Sequence, residues 1–338
     1  MKAYVLHSVN DLRYEDVKKP ELREGWALIR VKVSGICSSD IPRIFTSGTY
    51  HFPTIPGHEF SGIVEAVCSE KDKGYIGKRV GIFPLIPCKE CEYCKAKNYE
   101  MCNDYDYVGS RRDGGFAELV AVPVWNLIEL PDSVSFVQAA TLEPFAVAYH
   151  AVKRAYVKST DTVAIVGTGM IGFAAAQWAS VLGAKKVVVI GRTLRKKKYT
   201  DCFDNIHYIA LNETSELKEY DKVIEAVGSN EALNTSIQIT KPGGIVVLMG
   251  NPSGEMKLHK DIYWRILRKQ ITLTGAWNSS YENNGASEWS EVCKAMASRS
   301  IEVDSLISHH FKQDELIDAL LVMKEHKEVY TKIIVEWN

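Results

Sequence analysis

Residues 162–183 read TVAIVGTGMIGFAAAQWASVLG: a short apolar run, a Gly-rich turn, then apolar residues at helical spacing closed by Gly183. Within it Gly167-Thr168-Gly169-Met170-Ile171-Gly172 is G-x-G-x-x-G, placed directly after a strand and at the start of a helix, the context the signature requires. Gly167 permits the tight turn, Gly169 lets the backbone approach a pyrophosphate, and Gly172 brings helix and strand close, while the helix N-terminus favours the anion. Outward from this unit, KVVVIG (186–191), KVIEAVG (222–228) and GGIVVLMG (243–250) are further strands separated by helical stretches. That alternation predicts a doubly wound parallel sheet. Near the end of the second strand stands the residue that faces the adenosine ribose. An acid there suits NAD, and an arginine nearby suits a 2′-phosphate. This chain has Gly191-Arg192-Thr193, followed by Arg195, Lys196, Lys197 and Lys198. With cations present and no carboxylate, NADP is expected over NAD; the bland alternative is a solvated basic turn. The stretch after Arg192 looks short for a full crossover helix.

The first 140 residues differ. ALIRVKVSG, SGIVEAV, KRVGIFPLIP and GFAELVAVP are short β-like runs broken by Gly and Pro, the pattern of a compact, mostly antiparallel β domain. AATLEPFAVAYHAVKRAY (139–156) then reads as a helix entering the second domain. After about Ser279 come two helical stretches, EWSEVCKAMAS and DELIDALLVMKEH, and a last strand, TKIIVEW. A chain of 338 residues suggests about two domains. The tail is too short for a third, so the expected division is 1–145 with 279–338, and 146–278. A net charge of −1 gives no basic excess for nucleic acid or an anionic membrane surface. No apolar run approaches the roughly 20 residues that span a bilayer, and MKAYVLHSVNDLRYED lacks the apolar core of a signal peptide. A cytoplasmic protein is the default expectation.

Cys88, Cys91, Cys94 and Cys102 crowd into one loop with C-x2-C-x2-C-x7-C spacing. Four thiolates so placed suit tetrahedral zinc in a closed structural site. In this lobe Lys89, Lys95 and Lys97 are balanced by Glu90, Glu92 and Glu100, which argues against a nucleic-acid finger. A second set, Cys37, His58 with Glu59, and Glu143, offers a thiolate, an imidazole and a carboxylate, the donor types of a catalytic zinc with one open position. Each also has a dull reading, as a buried cysteine, a core histidine or a carboxylate at a helix start.

Six stretches together, GICSSD (35–40), PGHEFSGIV (56–64), the four-cysteine lobe, DGGFAEL (113–119), LEPFAVAYHA (142–151) and VGTGMIG (166–172), resemble the zinc-dependent medium-chain dehydrogenase/reductase family over essentially the whole chain. SSDIPRIFTSGTYHFPTIPGHEFSG, PLIPCKECEYC, YVGSRRDGGFAEL and LRKQITLTGAWNSS most resemble its galactitol-1-phosphate 5-dehydrogenase branch, near sorbitol dehydrogenases. The resemblance implies an α/β protein: a GroES-like β-rich catalytic domain completed by the C-terminal tail, and a Rossmann domain between. It implies two zinc ions per chain, one structural and one catalytic. Cys37, His58 and Glu143 would hold the catalytic ion, with Glu59 as an alternative or exchanging ligand. Asp40 would hold the ligand histidine, and Ser39 would pass the proton of the substrate alcohol. Pro42 stands where relatives with a longer relay carry histidine, and Gly191 where many NAD-dependent relatives carry aspartate.

The implied activity is hydride transfer between NAD(P) and a secondary alcohol of a polyol or polyol phosphate. Arg43, Arg111 and Arg112 are candidates for a substrate phosphate, because guanidinium binds phosphate bidentately; the alternative is ion pairing with Asp104, Asp106 or Asp113. Tyr50 and Trp277 are candidate pocket walls. Two rival readings are a zinc dehydrogenase of another small alcohol, of the threonine or butanediol type, and a non-catalytic nucleotide-binding zinc protein. Family habit implies a homodimer or homotetramer.

Overall fold

The computed structural model describes residues 1–213, 218–252, 254–283 and 287–338, which form two compact units. The first comprises Met1–Glu143, Ser280–Ser298 and Ile307–Asn338, and the second Pro144–Ser279 with Arg299–Leu306. The expected division gave all of 279–338 to the first domain. Arg299–Leu306 instead joins the second, where the Gln177 carboxamide takes both backbone groups of Glu302, at 2.8 and 2.7 Å.

Across the main sheet of the first unit the strands lie in the order Ile307–Lys312, Lys332–Glu336, Trp26–Ile36, Glu59–Val67, Arg79–Ile82 and Leu127–Glu129, with Leu119–Pro123 also paired to Trp26–Ile36. The pairing is antiparallel except between the first two. Trp26–Ile36 is central, and its apolar side chains bury against neighbours on several sides, so it reads as nearly continuous hydrophobic sequence. The C-terminal tail completes this core: Leu316, Leu320, Ile333 and Val335 cluster with Ala3, Ile29, Val31 and Phe116. Because Ile333 lies opposite Ile36, the start of the last strand arrives beside Cys37.

The second unit carries a parallel sheet in the order Ile206–Ala210, Lys186–Gly191, Thr162–Val166, Tyr220–Glu225, Thr240–Leu248, Thr272–Gly275. In chain order that is third, second, first, fourth, fifth, sixth, the arrangement of a dinucleotide-binding Rossmann sheet. Its inner strands are apolar on both faces, as helices on both sides demand. The crossover after Gly191 is a short 3-10 segment, Leu194–Thr200, in place of an α-helix. Among the described residues no helix is long and apolar enough to cross a membrane.

Candidate active site

Cys37 follows the end of the central strand, His58 immediately precedes the strand paired with it, and Glu59 opens that strand. One donor atom from each of Cys37, His58 and Glu59 lies within 4.8 Å of the others. Glu143, in the first turn of the helix Leu142–Arg154, is buried beside them and accepts from the Tyr107 hydroxyl at 3.2 Å, outside that three-donor group. Desolvation pushes the Cys37 thiol up to about 12, reinforced by Glu59, Asp40 and Glu143. Burial likewise pushes the Glu143 carboxyl up to about 7, with the Glu59 charge acting in the same direction. Beyond the Lys332 ammonium that pairs with Glu59, a thiol and two carboxylates buried together favour a further cation among them, and His58 Nδ1 is buried without a hydrogen-bond partner. The donor set fits zinc with an open coordination position.

Ser39 donates to Cys37 Sγ at 3.3 Å, which puts its hydroxyl on the rim of the cluster. Asp40 is fully buried, and its oxygens accept from the Cys37 backbone N–H at 3.0 Å and from Arg43 at 2.5 Å. Its Oδ1 is 3.7 Å from His58 Nδ1, too far for a hydrogen bond. In this structure Asp40 therefore braces the Cys37 turn more directly than it holds the imidazole.

Cys88, Cys91, Cys94 and Cys102 converge as free thiols. Zinc–sulfur bonds of about 2.3 Å in a tetrahedron imply sulfur separations of about 3.8 Å. The Cys88–Cys94, Cys91–Cys102 and Cys88–Cys102 pairs stand at 3.9, 4.0 and 3.4 Å. Backbone N–H groups of Asn103 and Cys94 hold the Cys91 thiol down to about 6, while burial raises Cys94 and Cys102. Four inward sulfurs with N–H donors aimed at them fit a closed zinc site.

At the dinucleotide loop the three glycines differ physically. Gly167 has φ +130°, a Cβ on Gly169 would meet open space, and a Cβ on Gly172 would stand 2.3 Å from the Gly167 carbonyl oxygen. These are the turn, the backbone approach and the close packing that the signature needs. At the end of the next strand Gly191 is forced by crowding: a Cβ there would lie 2.0 Å from Tyr208 Oη. Tyr208 donates to Thr193 O at 2.8 Å, Lys196 donates to Thr168 O at 3.1 Å, and Arg192 is exposed.

Residues 23–132 match the alcohol dehydrogenase GroES-like domain, and residues 171–298 match the zinc-binding dehydrogenase domain. The chain is 32% identical over 319 residues to galactitol 1-phosphate 5-dehydrogenase of Escherichia coli K12, covering 91% of this chain and 92% of that one. The crystal structure of galactitol-1-phosphate dehydrogenase from Escherichia coli superposes with a TM-score of 0.91 at 30% identity, over 99% of this chain and all of the other. A Sinorhizobium meliloti structure, described as a zinc-binding dehydrogenase bound to NADP, gives 0.90 at 27% identity, covering 99% of this chain and 98% of that one. The chain belongs to the zinc-dependent medium-chain dehydrogenase/reductase family. It is an oxidoreductase of the polyol and alcohol dehydrogenase kind, with the family's GroES-like and Rossmann folds.

Within that family frame the arginines offered for a substrate phosphate are largely engaged. Arg43 is paired with Asp40, and Arg112 Nε donates to Asp106 at 2.5 Å, one of the ion pairs weighed above. Arg111 donates to Tyr105 O at 2.8 Å and lies 4.3 Å from each of the Tyr50 and Tyr105 rings. Its Nε is buried without a hydrogen-bond partner. Tyr50 is exposed in the first unit and Trp277 in the second. Three residues escaped the sequence reading: in the first unit Tyr107 on Glu143 and Lys332, buried against Glu59 in an ion pair, and in the second Tyr208 against Gly191. A lysine at the head of an otherwise apolar strand was the available signal for Lys332.

Proposed function

We propose that the protein oxidises a secondary alcohol of a polyol or polyol phosphate, galactitol 1-phosphate-like, and reduces NADP in preference to NAD. The observation that carries this reading is the buried Cys37–His58–Glu59 donor group with Glu143 beside it, in a chain that also has the dinucleotide loop. Zinc bound by these residues, two ions per chain counting the four-cysteine lobe, supplies Lewis-acid polarisation of the substrate oxygen at the first site and structural closure at the second. Ser39 takes the alcohol proton at Oγ. With Pro42 in place of a histidine, it passes that proton to water or to the cofactor ribose. The turn Gly167–Gly172 would hold the pyrophosphate, and Arg192, Thr193 and Lys196 would serve the ribose end. A nicotinamide bound there would supply the hydride acceptor, at C4. Of the three arginines, Arg43 and Arg112 are held by Asp40 and Asp106, which leaves Arg111 as the candidate for a substrate phosphate.

The cofactor preference has a local cause. Exposed Arg192 offers a charge-assisted bond to a 2′-phosphate, worth about 1.5–3 kcal/mol or roughly 10–100-fold in affinity. Replacing Gly191 with Asp alone is expected to weaken both cofactors, because Tyr208 already fills the space its Cβ needs. The double variant Gly191→Asp/Tyr208→Ala opens that space and is expected to shift kcat/KM toward NAD. Steady-state kinetics on both cofactors check this; a single Gly191→Asp protein that gains NAD activity would contradict it.

The second unit also exposes Leu258, Tyr263, Trp264, Leu267 and Leu273 around the edge strand Thr272–Gly275. That unpaired edge favours a homodimer or homotetramer, which light scattering would show. Turnover of polyols or their phosphates by zinc-replete protein supports the main reading. Good rates on threonine or butanediol with none on polyols would select the other small-alcohol branch, and cofactor binding without turnover of any alcohol would select a non-catalytic protein.

A further inference from the structure

The first unit holds a cavity of about 590 Å3 to which none of Cys37, His58, Glu59 and Glu143 contributes. That volume falls within the roughly 300–1,000 Å3 of small-molecule sites. Strand register builds one wall. Leu28 lies opposite Ala121, so Trp26, two residues before Leu28, shares a sheet face with Ala121, and both line the cavity. The segment that follows the strand Asp11–Asp16 brings Val17, Lys18, Leu22 and Arg23 to the same cavity. The Arg23 guanidinium lies over the Trp26 ring, 3.9 Å from its centre, and that of Arg112 lies 5.5 Å from it. A guanidinium over an indole still offers its N–H edge to an anion. The charges of the lining are unequally engaged. Arg112 is held by Asp106, and Asp113 accepts from the Ile55 N–H at 2.9 Å. Glu21 also lines the cavity, yet among the described residues Lys18 and Arg23, both exposed, form no ion pair.

We propose that this cavity binds a small organic anion, whose carboxylate or phosphate bonds to Arg23 beside Lys18 and whose apolar body packs on Trp26, Val17 and Leu22. The unpaired cations select the charge, and the indole with its aliphatic neighbours selects the body. An arginine already resting on an indole loses little side-chain freedom when the anion arrives. The site is separate from the dinucleotide loop, which belongs to the second unit, and takes no part in hydride transfer.

The test titrates benzoate, phenyl phosphate and neutral benzamide by calorimetry into protein saturated with zinc and NADP, so that the cofactor site is already filled. At least one of the two anions should bind with a Kd below about 1 mM, and benzamide roughly tenfold more weakly or worse. The tighter of the two anions tells phosphate from carboxylate. Arg23→Gln should weaken that anion about 10–100-fold, the worth of a charge-assisted hydrogen bond. Ala121→Trp fills the cavity and should abolish binding. Absence of binding by both anions up to about 10 mM, or benzamide binding as tightly as they do, would overturn the proposal. So would anion affinity unchanged in either variant, which would place the anion elsewhere. Should Ala121→Trp fail to fold, Arg23→Gln decides alone, because Arg23 is exposed and its replacement leaves the fold intact. The readout is binding, so it stands or falls independently of which alcohol the enzyme oxidises.

Discussion

Cys37→Ser protein is expected to fold, to bind NADP, and to lose turnover by about a thousandfold or more. Serine keeps the size of the side chain but is a poor zinc donor at neutral pH. The Lewis-acid contribution is worth several kcal/mol of barrier, and each 1.36 kcal/mol is tenfold in rate. Cofactor binding should survive because the dinucleotide loop belongs to the other compact unit, Pro144–Ser279. NADP titration followed by fluorescence, beside steady-state rates and metal analysis, separates these effects. Loss of fold, or turnover within tenfold of wild type, would contradict the assignment of Cys37.

The second large effect is on stability. Cys94→Ser should release one zinc per chain and unfold the lobe around residues 88–102, while the main sheet of the first unit stays protected. Regular structure in this lobe is slight: one turn at Glu92–Lys95 and a 3-10 turn at Tyr99–Met101. On this account metal binding holds the loop, and apparent binding free energies for structural zinc in small peptides are about 10–16 kcal/mol. Tyr99 packs edge-on to Trp125 at 5.1 Å, and the Lys89 ammonium lies 4.8 Å from the same ring. Melting should thus alter tryptophan emission along with hydrogen exchange across 88–102. Unchanged exchange in this variant would mean that the lobe packs without its metal.

The contrast between what could and could not be read from the chain is physical. The loop Gly167–Gly172 and the four cysteines are local patterns, in which spacing alone fixes which groups meet, and both are found as expected. The donor types of Cys37, His58 and Glu59 suggested a set, but the family resemblance was needed to join them, because they stand at the ends of different strands. The resemblance offered Glu143 with Glu59 as an alternative or exchanging ligand, and the structure groups Glu59 with Cys37 and His58. Lys332 was hidden by distance, since 273 residues separate it from Glu59 and only strand register joins them. The strands Ile206–Ala210 and Thr272–Gly275 were missed for another reason. The first carries exposed His207, and the second is largely exposed at the sheet edge, so neither shows a clean apolar run. For Arg112 the ion-pair alternative holds, because a pair of adjacent cations does not reveal whether an aspartate a few residues away, as Asp106 is to Arg112, already holds one of them.

The central claim, hydride transfer from a polyol carbon to NADP, is tested most directly with galactitol 1-phosphate deuterated at C5. Zinc-replete protein is supplied with this substrate and NADP, and the NADPH is examined by mass spectrometry. The account predicts one deuterium per NADPH formed and a slower rate than with unlabelled substrate when hydride transfer limits turnover. Unlabelled NADPH, or no reduction with this or any other polyol, would contradict it.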